Sequence, residues 1–166
     1  MGLDITLTAA LSGNFTTALD LTDVKVPISI ANNVQLTDGT AAGQANQFWS
    51  DQRTLAASAT ENIDLAGALV NAFGTTLTFT KIKGIYIKAA SGNTNNVQLT
   101  RPASNGLPLF LAAGDGLSIL PGGMFLWACS DNTAIPVTAG TGDLLTLTNS
   151  AGTTSVTYDI AIIGVA

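Results

Sequence analysis

Glu61 and Asp64 stand three residues apart, with Asp51 upstream of both. Two carboxyl groups at one site can share the work of general acid and general base, the arrangement that cleaves glycosidic bonds. Glu61 with Asp64, or Asp51 with another aspartate, are the pairs that could serve. Aspartates at strand ends and in turns also do ordinary turn work through the neighbouring backbone. That plainer reading is adopted, and no catalytic residue is assigned. Histidine occurs nowhere in the chain, which removes the commonest general base and metal ligand together and excludes Ser-His-Asp and Cys-His arrangements. Cys129 is the only cysteine, so there is neither an internal disulfide nor a C-x-x-C metal site. Beside Phe125, Trp127 and Ala128 it is expected to be a small buried apolar residue. Gly114-Asp115-Gly116 and Ser130-Asp131-Asn132 offer oxygens suited to calcium, but neither has the ligand spacing of an EF-hand loop. A glycine-rich phosphate loop needs a strand-to-helix context that the chain lacks. No cofactor, no metal and no enzymatic activity are expected.

The elements that must carry these residues follow from composition and period. Apolar residues make up 46% of the chain and charged residues 10%, against about a quarter charged in typical soluble domains. The polar surface must therefore be Thr, Ser, Asn and Gln, which suit sheets and turns. So apolar a chain can bury enough surface to offset its conformational entropy. With 166 residues, one domain spanning 1–166 is expected. The net charge is −5 and the six basic residues are scattered, so no basic stripe exists for a nucleic-acid partner. No run approaches the roughly 18 apolar residues of a membrane span. The start of the chain has no basic region leading into a long apolar run, so no signal peptide and no membrane partner are expected. Met1-Gly2-Leu3-Asp4-Ile5-Thr6 fits the short myristoylation pattern, but Leu3, Ile5 and Leu7 already form one face of a strand.

Thr76 to Arg101 is the densest strand region. Thr76, Thr78 and Thr80 alternate with Leu77 and Phe79, and Ile85 and Ile87 alternate with Tyr86 and Lys88. The apolar steps of three from Phe79 to Ile82 to Ile85 predict one bent strand broken near Lys81 and Gly84, or two strands joined there. Ser91 to Asn96 reads as a turn, and Val97, Leu99 and Arg101 resume, giving a hairpin with a polar tip. Elsewhere, Leu3 to Ala9 alternates and Ser12-Gly13-Asn14 reads as a turn. Leu19 and Leu21 start a second strand, and Val24 to Ile30 form a third that Pro27 marks as an edge. Thr37 to Gln47 reads as a mobile loop or an interface strand and turn. Phe48 to Ala57 is a strand in which Asp51 and Arg53 share a face. Leu65, Leu69 and Phe73 fall at helical spacing, predicting a helical turn over 66–72. Strands are expected over Leu107 to Ala112, Leu117 to Leu120 and Met124 to Cys129. The last is apolar on both faces and is placed mid-sheet or in a subunit contact. Leu145 to Thr148 and Val156 to Ile162 close the chain as a hairpin. Short strands at this spacing predict an all-β, single-domain sandwich, jelly-roll-like, with at most one or two short helical turns.

Two blocks resemble small virion structural proteins of tailed bacteriophages: FWSDQRTLAASATENIDLAGALVNAFGTTLTFTKIKGIYIKAASGNTNNVQL, 48–99, and PGGMFLWACSDNTAIPVTAGTGDLLTLTNSAGTTSVTYDIAIIGVA, 121–166. The resemblance lies in a DQR-TL strand, an IDL…G…TFTKIK core and a closing GDLL…N…G…VTYDI-IIG segment. It implies a capsid decoration (cement) protein on the virion surface, made in the host cytoplasm, whose partner is the major capsid protein. The alternatives it leaves are a tail or head fibre or receptor-binding domain, and a carbohydrate-binding β-sandwich module. Few charges and few edge-blunting residues, Pro27 and the 81–88 region, predict a homo-oligomer, a trimer ahead of a dimer. Its interface is expected at the N-terminal strand and the 37–47 loop through Leu3, Ile5, Thr37, Gln44 and Gln47. Trp49 reads either as a core residue, the plainer alternative, or as an anchor for a partner, since Trp is enriched at interface hot spots. It is the one aromatic chosen for the contact.

Overall fold

The computed structural model describes residues 2–166; Met1, which opens the myristoylation pattern, lies outside them. The described residues contain fourteen strands and no helix. In chain order they are β1 (Asp4–Ala18), β2 (Asp23–Asp38), β3 (Gln44–Ala45), β4 (Gln47–Leu55), β5 (Thr60–Asp64), β6 (Ala66–Val70) and β7 (Thr76–Thr78). There follow β8 (Lys81–Ala89), β9 (Val97–Thr100), β10 (Gly116–Ile119), β11 (Met124–Ala128), β12 (Ile135–Pro136), β13 (Leu144–Asn149) and β14 (Val156–Val165). The all-β class expected from the sequence is what the chain adopts.

Eight strands build the body. One antiparallel sheet has the order β4-β14-β8-β11, with β12 also paired to β8, and a second has the order β5-β13-β9-β10. Numbered one to eight along the chain, these strands run 1-8-3-6 and 2-7-4-5. Alternation explains how each sheet turns one face inward. In the first, Ile87 stands between Phe125 and Ile160, and Ile85 between Trp127 and Ile162, with Trp49 beyond. In the second, Leu99 pairs with Leu117 and Leu147, and Leu145 with Ile63. The buried ones merge into one cluster, with Phe125, Trp127 and Leu117 half-buried against it, and full burial of an apolar side chain is worth roughly 1.5–3 kcal/mol.

Several local expectations are corrected. The segments 76–101 and 145–162 are not hairpins: β8 and β9 lie in different sheets, and so do β13 and β14. Each connection crosses the core. The β8–β9 and β13–β14 loops meet outside it, where Asn95 Nδ2 donates to Asn149 Oδ1 (3.0 Å) and to the Thr154 carbonyl (3.0 Å). The central region does bend near Lys81 and Gly84 as expected, because the register against β14 shifts there, Ile163 facing Gly84 and Gly164 facing Ile82 with Lys83 skipped. A second break falls between Thr78 and Lys81, where β7 leaves to pair with β6. The helical turn over 66–72 is strand β6. Its register slips between Ala66 and Leu69, and Gly67 takes φ +119°, so a bulge puts Leu65 and Leu69 at a spacing that imitates a helix. Leu107 to Ala112 is not a strand. Arg101 Nη1 donates to the carbonyls of Phe110 (2.8 Å) and Leu111 (3.0 Å), and Pro108 has no N–H for a ladder. β11 is an edge strand, half-buried from Phe125 to Ala128, rather than mid-sheet. Cys129 is half-buried, its Sγ accepting from the Asp131 N–H at 3.3 Å.

The largest correction is at the start of the chain. Ser12-Gly13-Asn14 is not a turn, and Leu19 and Leu21 are not a strand. β1 and β2 pair residue for residue from Asp4↔Thr37 to Ala18↔Asp23, with the turn over Leu19 to Thr22. No helix is present that could cross a membrane.

Candidate interaction surface

The β1–β2 ribbon has a root and a free arm. At the root Leu7 and Leu36 are buried with Ala45 and Ile163, and Leu3, Ile5, Val34, Leu126 and Ala128 pack around them. This second core forms on the outer face of the β4-β14-β8-β11 sheet. Gly84 permits it: a Cβ there would stand 2.9 Å from Leu7 Cδ2 and 3.1 Å from Ile163 Cδ1. Lys83 is fully buried beside it, its Nζ donating to the Asp131 carbonyl and lying within 3.5 Å of the carbonyls of Ala41 and Ser130. Lys81 Nζ donates to the Asn132 carbonyl at 2.9 Å. The Ser130-Asp131-Asn132 oxygens considered for calcium thus receive two lysine ammonium groups. Lys83, counted among edge-blunting residues, instead fastens the 37–47 loop to the 129–134 loop.

Beyond the root, every residue from Thr8 to Asn33 is exposed. The register places Leu11 opposite Ile30, Gly13 opposite Ile28, Phe15 opposite Val26 and Thr17 opposite Val24, so all eight share one face. The other face carries Ser12, Asn14, Thr16, Lys25, Pro27 and Ser29. Phe15 is 69% exposed and Leu11 61%, and at the tip Leu21 is 99% exposed. The apolar stripe continues the row of Ile5, Leu7, Val34 and Leu36 that fills the second core. It is one amphipathic ribbon, covered at its root and bare along its arm.

The residues expected at an interface fall in three places. Leu3 and Ile5 are half-buried at the root. Gln44 stabilises its own loop, its Oε1 accepting from the Ala41 N–H at 3.0 Å, and Thr37 pairs with it as β2 meets β3. Gln47 joins Leu3, Phe48, Phe73 and Leu77 around a shallow cleft of about 220 Å³. Trp49 is 6% exposed in the main core opposite Ile162, which corrects its choice as the contact aromatic. The exposed aromatic that periodicity should have singled out is Phe15. The signal was present, because alternation runs unbroken from Ile5 to Thr17 once Gly13 is counted as an apolar-face position.

The carboxylates do not assemble as pairs. Residues three apart on a strand face opposite ways, so Glu61 turns toward the core and Asp64 away, its Oδ1 accepting from the Ala66 N–H at 2.8 Å. Both oxygens of Glu61 are engaged: Oε2 accepts from Arg53 Nε (3.0 Å) and Nη2, and Oε1 from the Tyr158 hydroxyl (2.5 Å). Arg53 Nη1 also reaches Asp51 Oδ2 at 3.1 Å. Burial, then the hydrogen bond to Glu61, holds the Tyr158 hydroxyl well above the ordinary phenol range. The same carboxylate holds the Arg53 guanidinium protonated against the opposing effect of burial. The cluster joins β4 to β5 along one edge of the body, a clasp between sheets with no free carboxylate oxygen on Glu61. Asp131, bonded by the hydroxyl and N–H of Thr133, lies below the usual carboxylate range. Among the described residues no three Cys, Asp or Glu side chains converge as a metal site. Set against family models, curated proteins and solved structures, the chain matches none of them.

Proposed function

We propose that this chain is a virion structural protein of a tailed phage, a capsid decoration (cement) protein that binds and stabilises the head shell. The observation that carries the reading is the bare apolar arm held on a β body, which marks the chain as a subunit of a larger assembly. A solvent-exposed apolar stripe of this extent marks a contact surface, and its root is fixed by a second core and a buried lysine. The body supports the reading from another side. Strand orders 1-8-3-6 and 2-7-4-5 fit a jelly roll, an architecture used by capsid and lectin domains. The charged groups that meet in the body clasp its sheets, as suits a part that binds without chemistry. The partner is the major capsid protein, and binding would stabilise the shell by mass action on the bound state.

The test is location and copy number on purified particles, by gold-labelled antibody and quantitative mass spectrometry. Label over the head at hundreds of copies per particle is expected. Label confined to the tail at about a dozen copies or fewer would replace this reading with a fibre or receptor-binding role. Absence from particles, together with glycan binding by the isolated protein, would replace it with a carbohydrate-binding module.

A further inference from the structure

The bare face of the arm needs an occupant. It runs from Ala9 to Ala18 on β1, about 30 Å at the usual strand rise, and carries Leu11, Phe15, Val24, Val26, Ile28 and Ile30. A two-stranded ribbon alone is at best marginally stable in water. We propose that the occupant is the same face of a second copy of this chain, so that arms pack apolar face to apolar face and hold the protein as a homo-oligomer. The proposal deepens the reading of the chain as an assembly subunit and rests on it.

Three observations favour a second copy. First, six large apolar side chains share this one face, Leu11, Phe15, Val24, Val26, Ile28 and Ile30, and all are 38–69% exposed in the single chain, a contiguous stripe of the type that marks a contact. Second, no charged side chain lies on this face between Ile5 and Leu36; Lys25 and Asp23 stand on the other. An uncharged face meets its own copy without like-charge repulsion, and a copy guarantees an apolar area of equal size. Third, the face has relief. Phe15 projects beside Gly13, and no atom lies within 4 Å of where a Gly13 Cβ would stand. A ring on one arm therefore has a notch to enter on the other, and two-fold packing makes the contact reciprocal. A lipid occupant fits less well, although alternating faces of this length are also those of a membrane β-hairpin. A barrel in hydrocarbon must satisfy every backbone group, and Pro27 has no N–H to contribute.

Light scattering and sedimentation of the purified full chain test this, with no particle present. Wild type is expected at a small multiple of 16.9 kDa at micromolar concentration. Phe15→Asp combined with Ile28→Asp should drop the mass to a single chain. Both residues are exposed in the single chain, so the circular dichroism of the body should be unchanged. Asn14→Asp with Ser29→Asp puts the same charge on the polar face and should leave the mass of the oligomer unaltered. A chain in which Ala9 is joined to Asn32 by an Asn-Gly turn asks the question without added charge and should be monomeric. A monomeric wild type at 100 μM, an oligomer indifferent to the Phe15 and Ile28 changes, or dissociation by the polar-face control would each overturn the proposal. So would dye release from phosphatidylcholine–phosphatidylglycerol vesicles by wild type but not by the Phe15→Asp, Ile28→Asp chain. A monomer that binds heads through its arm would overturn this inference and leave the decoration reading standing. An arm-dependent oligomer absent from particles would do the reverse.

Discussion

Lys83 shows what a single residue does for this protein. Its ammonium group is buried among the carbonyls of Ala41, Ser130 and Asp131, and charged hydrogen bonds of this type are worth about 1.5–3 kcal/mol each. Lys83→Met fills a similar volume without a donor, so a loss of about 2–3 kcal/mol in denaturant unfolding is expected, with faster proteolysis near Gly43. Tyr158 gives a pH signature. Its folded pKa is raised, so above about pH 10, the ordinary phenol range, the unfolded chain loses this proton while the folded chain keeps it. Stability then falls as pH rises, by up to about 1.4 kcal/mol per pH unit from this group. Tyr158→Phe removes that component, and the wild-type advantage over the variant should shrink above pH 10 in unfolding titrations. Trp49 packs in the main core, so Trp49→Ala should cost about 3–5 kcal/mol while the folded fraction keeps its oligomeric mass. A variant that retained stability and lost the oligomer would return Trp49 to the surface role first assigned to it.

At the scale of the element, alternation was legible wherever one face was buried and the other wet. β4, β10, β13 and β14 stand close to where the pattern puts them. What alternation cannot carry is the partner of a strand. A turn such as Ser91 to Asn96 joins two strands of one sheet or carries the chain across the core, and side-chain period is the same in both. β8 was hard to phase because the ribbon root covers its outer face, burying Lys83 and Gly84 as well as Ile82 and Ile85. The arm was hidden for the opposite reason: its apolar row is exposed, and a Ser-Gly-Asn triplet inside a ladder resembles a turn until its partner Ser29-Ile28-Pro27 is known. Gly84→Val tests the root. Its side chain would meet Leu7 and Ile163, and overpacking of this type costs about 1–3 kcal/mol. The loss should appear as faster exchange of Leu7 and Leu36 amides, with the amides of β13 protected as before.

The whole molecule divides into a body that is self-sufficient and an arm that is not. The body closes its core between two sheets, clasps one edge with Arg53, Glu61 and Tyr158, and holds its crossing loops with Asn95 and Asn149. None of the carboxylate pairs picked out in the sequence became a site, because strand geometry separated Glu61 from Asp64 and Arg53 took up Glu61. The arm leaves its apolar face bare from Leu11 to Ile30, a face that the proposed assembly covers. Amide hydrogen exchange, compared between dilute single chains and the assembled particle, tests this most directly. In the dilute chain the amides of Ala9 to Asn33 should exchange within seconds to minutes, as those of a marginal ribbon do. In the assembly the same amides should slow by at least about a hundredfold, the equivalent of roughly 2.7 kcal/mol of local stabilisation. Unchanged exchange along the arm, with new protection confined to the body surface, would contradict the account.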